Sequence, residues 1–91
     1  MSTYPAERCL PGVTPEQLPG AARRAKAAAS EMTAAGTPVT YLRSTFLTGD
    51  QTCYCLFEGP SEQAVAQAND KAAIPYERIV AAMHVASGDL A

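Results

Sequence analysis

The chain has no tryptophan, only two phenylalanines and four tyrosines, and a single histidine among its 91 residues. Aromatic rings bring the largest buried areas per residue, so an apolar fraction of 47% built mostly from alanine and aliphatic residues implies a closely packed, small-sided core. One histidine excludes a paired-histidine zinc site. No phosphate-cradling glycine loop, dinucleotide fingerprint or zinc-finger spacing occurs, which removes several large enzyme classes. No apolar run approaches the roughly 20 residues of a membrane span. The opening MSTYPAERCLPG lacks a basic flank leading into an apolar stretch, so the expected location is the cytoplasm, away from any membrane. Charge of one sign is also missing: seven basic residues against nine acidic ones give a net charge of -2, and Arg23, Arg24 and Lys26 form the only local basic cluster. Nucleic acid, which needs a clustered positive field, is not an expected partner. Three cysteines is an odd number, which argues against a disulfide framework and for reduced thiols.

What is present predicts one α+β domain over residues 1–91, with 86–91 as a loose tail. Tyr4 to Leu10 suits a first strand, with Pro5 expected at an unpaired position because it has no N–H. Thr14-Pro15-Glu16-Gln17 carries a helix-start signature, with Pro19-Gly20 able to shift the stable start to about Ala21. The helix body runs to Ala35, with Leu18, Ala22, Ala25, Ala29 and Met32 at helical spacing and Gly36 placed for a cap. Val39 to Leu47 and Thr52 to Glu58 are rich in β-branched and aromatic residues and read as a hairpin. Ser61 caps a shorter helix from Glu62 to about Ala72, and Arg78 to Val85 suits a last strand. The order β, α, β, β, α, β matches the split βαβ plan, a four-stranded antiparallel sheet with two helices on one face. The uncovered face of so small a sheet predicts a homodimer or a ligand surface.

In QTCYCLFEGPSEQ, Cys53, Cys55 and Phe57 share one strand face while Tyr54 and Leu56 share the other. Two readings stay open: the thiols are small core residues, or they are donors to a soft metal, with Cys9 from the first strand and His84 from the last completing the set. His84 and Tyr41 are the candidates for proton transfer in an enzyme. Glu7, Asp50, Glu58, Glu77 and Asp89 are scattered over turns and strand ends and define no catalytic pair. Tyr41 and Arg43 are expected on one strand face, where with Tyr54 they would orient a small polar ligand.

The TPEQ helix start, the YLRS strand, the CYCLFEGPSEQAV strand-to-helix join and the PYERI run, taken in order, resemble a family of small bacterial ferredoxin-like proteins. That family was long known as a domain of unknown function and is described as nickel-binding. The resemblance covers most of the chain and implies a ferredoxin-like βαββαβ fold, a homodimer and a nickel cofactor where the ligands are retained. It also implies histidines in the second helix. Here AVAQANDKAA has Asn69 and Ala73 at those places and only Asp70 as a nearby charged oxygen donor. The resemblance therefore points to a binding protein of a metal-free branch, with Asn69 joining Tyr41, Arg43 and Tyr54 among the ligand-binding candidates. The alternative is a small cofactor-free enzyme with an organic substrate in the sheet or dimer pocket.

Overall fold

The computed structural model describes residues 2–10, 12–83 and 85–90. The chain runs β1 (Ser2–Cys9), α1 (Leu18–Ala34), β2 (Thr40–Leu47), β3 (Thr52–Gly59), α2 (Glu62–Ala72) and β4 (Arg78–Ile79), then a short 3-10 turn at Ser87–Asp89. The strands form one sheet of order β2-β3-β1-β4, and every pairing is antiparallel. Both helices cover the same face: Ala25, Ala28 and Ala29 of α1 and Ala64, Val65, Ala68 and Ala72 of α2 join Tyr4, Ala6, Cys53, Cys55, Phe57 and Ile79 of the sheet in one buried cluster. Alanine at nearly every helical contact lets the helix backbones lie close to the sheet, which is how a chain without large side chains fills its interior. This is the ferredoxin-like arrangement that the element order predicts.

Local chemistry accounts for most element ends. Ser61 Oγ accepts a hydrogen bond from Ala64 N at 3.1 Å, Glu62 sits in the first turn of α2 and Lys71 in its last, so cap and dipole agree. α1 ends in a paired motif, Thr37 N to Met32 O at 2.9 Å and Gly36 N to Thr33 O at 3.1 Å, with Gly36 at a φ of 104° that side chains rarely adopt. Thr33 Oγ1 then accepts from Val39 N at 3.1 Å and donates to Val39 O at 2.8 Å, tying the end of α1 to the chain entering β2. Gly59 closes β3 where a Cβ would lie 3.2 Å from a methyl of Val65, so only hydrogen fits without movement.

Three expectations are corrected. Thr14 does not open the helix: Gln17 N bonds Thr14 O at 3.0 Å and Gln17 Oε1 accepts from Thr14 N at 3.0 Å, a single closed turn, and α1 begins at Leu18. Pro5 is paired inside β1, opposite Leu56 of β3. Its carbonyl faces the other neighbour, accepting from Val80 N at 3.5 Å. On that side the missing N–H can return no bond. The last strand is accordingly short: β4 covers Arg78–Ile79, and Thr3 with Ala82 makes an isolated bridge beyond it. Glu7 Oε2 accepts from Arg78 Nε at 2.7 Å on the exposed face, holding the start of β4 against β1.

Candidate functional site

The strand register builds rows of side chains across the helix-covered face. Arg8, Cys53 and Phe46 form one row and Ala6, Cys55 and Ser44 the next, with Tyr4, Phe57 and Tyr41 beyond them. Tyr41 and Phe57 meet edge to face, with ring centroids 5.6 Å apart. The sulfurs of Cys53 and Cys55 are 3.8 Å apart, Ser44 Oγ lies 3.1 Å from Cys55 Sγ, and Tyr41 Oη lies 2.6 Å from Ser44 Oγ. Both cysteines are buried, at 0% and 5% exposure.

Arg8 is the unexpected member, a guanidinium only 1% exposed. Its Nη2 donates to Asn69 Oδ1 at 2.6 Å, its Nη1 donates to Pro75 O at 3.2 Å and Ile74 O at 3.4 Å, and its Nε has no hydrogen-bond partner among the described residues. Asn69 is held in turn by its Nδ2, which donates to Val65 O at 2.8 Å. A charge removed from water needs an opposite charge or a full set of acceptors, and these acceptors are neutral. Of the neighbouring groups, Cys55 is the one whose thiol is shifted toward the anion. The hydrogen bond from Cys53 lowers the Cys55 thiol to about 6 against the opposing effect of burial, helped by Arg8 and Ser44. Cys53 is pushed the other way, first because its proton is held by Cys55 and then by burial and the neighbouring negative charge. With Cys55 as the thiolate, Cys53 and Ser44 are its donors and Tyr41 donates to Ser44, a chain whose members polarise one another.

Cys53 and Cys55 do share a face, the one under the helices. Cys9 does not join them: it is exposed and pairs with Thr52, whereas Arg8 stands across from Cys53, because side chains alternate along β1. Tyr41 and Arg43 do not share a face either. Tyr41 pairs with Phe57 and Arg43 with the adjacent Leu56, so Leu42 is an extra residue, and this bulge reverses the parity of β2. Arg43 thus lies with Tyr54 on the open face, Tyr41 lies inside with the thiols, and Asn69 is buried against Arg8. His84 lies outside the described residues. Spacing alone had passed over Arg8 and Ser44, although the alternation Tyr4, Ala6, Arg8 places a charge on an otherwise apolar strand face.

The donor set does not fit a nickel centre at the buried thiols. No three His, Cys, Asp or Glu side chains converge among the described residues, and the Arg8 cation stands across from Cys53, which opposes a second cation there. Nearby, an open groove of about 410 Å³ runs between α1 and β2, lined among others by Lys26, Ser30, Thr33, Val39 and Tyr41. Tyr41 connects it to the thiols through Ser44.

Residues 4–81 match the family model described as nickel responsive protein SCO4226-like. The crystal structure of SCO4226 from Streptomyces coelicolor A3(2) superposes with a TM-score of 0.78 over 93% of this chain and 100% of that one, at 23% identity. At that identity the likeness carries the fold. No curated protein matches the chain. No helix of the described residues is long and apolar enough to cross a membrane.

Proposed function

We propose, from the premise that the chain belongs to the nickel responsive SCO4226-like family, that it is a small cytoplasmic binding protein of a branch in which the buried thiols do not hold nickel. The observation that carries this reading is the Arg8 guanidinium, buried across the strand from Cys53, with no third metal-ligating side chain converging on the sulfurs among the described residues. A divalent ion bound by the two sulfurs would have to share a low-dielectric site with that cation. The groove beside Tyr41 is the better place for a ligand, a small organic molecule with an acidic or polar group for Lys26 and the Tyr41 hydroxyl. Leu47, Tyr54 and Val80 are exposed apolar side chains. Tyr54, paired with Thr45 beside them, lies on the uncovered sheet face, which in this reading is the surface that pairs two copies.

The test is calorimetric titration of nickel into tag-free, reduced protein, with metal content read by mass spectrometry. The expected result is no saturable uptake that depends on Cys53 and Cys55. Uptake near one ion per chain that disappears in the Cys53→Ser, Cys55→Ser variant would overturn the metal-free reading. Binding that survives that variant and disappears in Cys9→Ser would move nickel to the open face, and binding that disappears in His84→Ala would make that histidine a ligand; either outcome leaves the buried pair metal-free.

A further inference from the structure

Beyond ligand binding, the thiols themselves form a site. We propose that Cys53 and Cys55 are a modification site for hydroperoxides, in which Cys55 is the attacking sulfur, Cys53 the resolving one, and the product a reversible Cys53–Cys55 disulfide.

Three observations support it, and strand geometry sets what the bond demands. The sulfurs are 3.8 Å apart on one strand face, in van der Waals contact and with no other side chain needed between them. Two residues of extended strand separate their Cα atoms, and with them the parallel Cβ atoms, by about 6.7 Å, within the Cα range of a disulfide but wider than its Cβ spacing of about 3.5–4.5 Å. Closing the bond therefore bends the β3 backbone locally, and a thiol reductant readily reopens a bridge strained in this way. Ser44 Oγ lies 3.1 Å from Cys55 Sγ and the Arg8 guanidinium is buried in the adjoining row, a hydroxyl and a positive charge that favour a reactive thiolate. Cys55 keeps 5% of its surface exposed, where Cys53 has none, and neighbours the half-buried Ser44 on the edge strand β2, so it is the sulfur of the pair that a small reactant meets first.

The steps balance without a metal or an electron carrier. The Cys55 thiolate attacks one oxygen of hydrogen peroxide, the O–O bond breaks, and hydroxide leaves, giving a sulfenic acid. The negative charge that had held the Cys53 proton in place is then gone. Arg8, directly across from Cys53, now favours ionisation of that second thiol, whose proton passes to the released hydroxide and makes the first water. Cys53 sulfur attacks the Cys55 sulfur, the S–O bond breaks, and the departing oxygen takes up a proton as water. Overall two thiols lose two hydrogens and one peroxide becomes two waters.

The experiment uses the Cys9→Ser protein, which removes the exposed thiol on the opposite face, treated with hydrogen peroxide in the presence of a chelator. Intact mass and peptide mass spectrometry should show loss of two hydrogens within the peptide carrying both cysteines, reversed by dithiothreitol. Adding Cys53→Ser should abolish that loss and leave a sulfenic acid on Cys55 that dimedone captures. Adding Cys55→Ser should leave Cys53 unmodified over the same time. The inference is overturned if neither thiol changes while Cys9 in the unsubstituted chain is oxidised. Direct passage of Cys55 to sulfinic acid with no disulfide overturns it as well, as does equal dimedone capture at Cys53 in the Cys55→Ser protein. Circular dichroism of each variant establishes that it is folded before peroxide is added.

Discussion

Asn69→Ala tests the buried Arg8 network most directly. In the folded chain Asn69 is fully buried and its Oδ1 takes a 2.6 Å bond from Arg8 Nη2. Hydrogen bonds to charged groups contribute about 1.5–3 kcal/mol, and leaving the buried charged donor without its partner puts this one at the upper end of that range. The Val65 carbonyl also loses its 2.8 Å bond from Asn69 Nδ2, a smaller effect because that carbonyl is already a helix acceptor. The expected loss is about 3 kcal/mol, against a total of roughly 5–14 kcal/mol for a domain of this length. With about 4–8 °C per kcal/mol for domains of this size, the melting temperature should fall by about 12–24 °C. The assay is urea and thermal unfolding followed by far-ultraviolet circular dichroism under reducing conditions. A double-mutant cycle with Arg8→Met separates the pair from the general cost of truncation: with the guanidinium gone, Asn69→Ala should cost at least about 1.5 kcal/mol less than it does alone. A loss below about 1 kcal/mol with an unchanged urea slope would refute the reasoning, since a buried donor of a charged group left without its partner cannot be that cheap.

Two further outcomes follow from the same geometry. Thiolate absorbance of Cys9→Ser should titrate one sulfur near pH 6 while the other stays protonated through neutral pH; a single step of two thiols near their ordinary value of 9.0 is the contrary result. The sign for stability is worked from protons: below about 6 Cys55 is protonated folded and unfolded and contributes nothing, and from about 6 to 9.0 only the folded state is ionised, so its contribution grows with pH. Above that, Cys53 opposes any further gain, because the unfolded chain loses a proton that the folded pair retains. Urea unfolding across this range should therefore show a rise that is absent in Cys55→Ser. Separately, Gly59→Ala should cost about 1–3 kcal/mol, since the new methyl meets Val65 at 3.2 Å and Val39 at 3.7 Å. Gly49→Ala, with nothing within 4 Å, should be near neutral in the same urea titration.

The sequence by itself determined the order of elements, because each is written in contiguous residues. Ser61 and Glu62 start α2, Gly36 ends α1, and the run from Thr52 to Glu58 alternates as a strand must. It also determined that Cys53 and Cys55 share a face, since parity along an unbroken strand is local. Where parity is broken, reading along the chain fails: the extra residue Leu42 puts Tyr41 inside and Arg43 outside, and a bulge is defined only against a partner strand. β4 stops early because Pro5, more than seventy residues before it in the chain, has no N–H to give. Only the tertiary structure decided which face the thiols occupy and what stands beside them. Arg8 meets Asn69 across 61 residues and Cys53 across the β1–β3 ladder. Whether the pair of sulfurs is inert, metal-binding or reactive depends on the electric field at their position, and that field comes from residues that no local pattern connects to them.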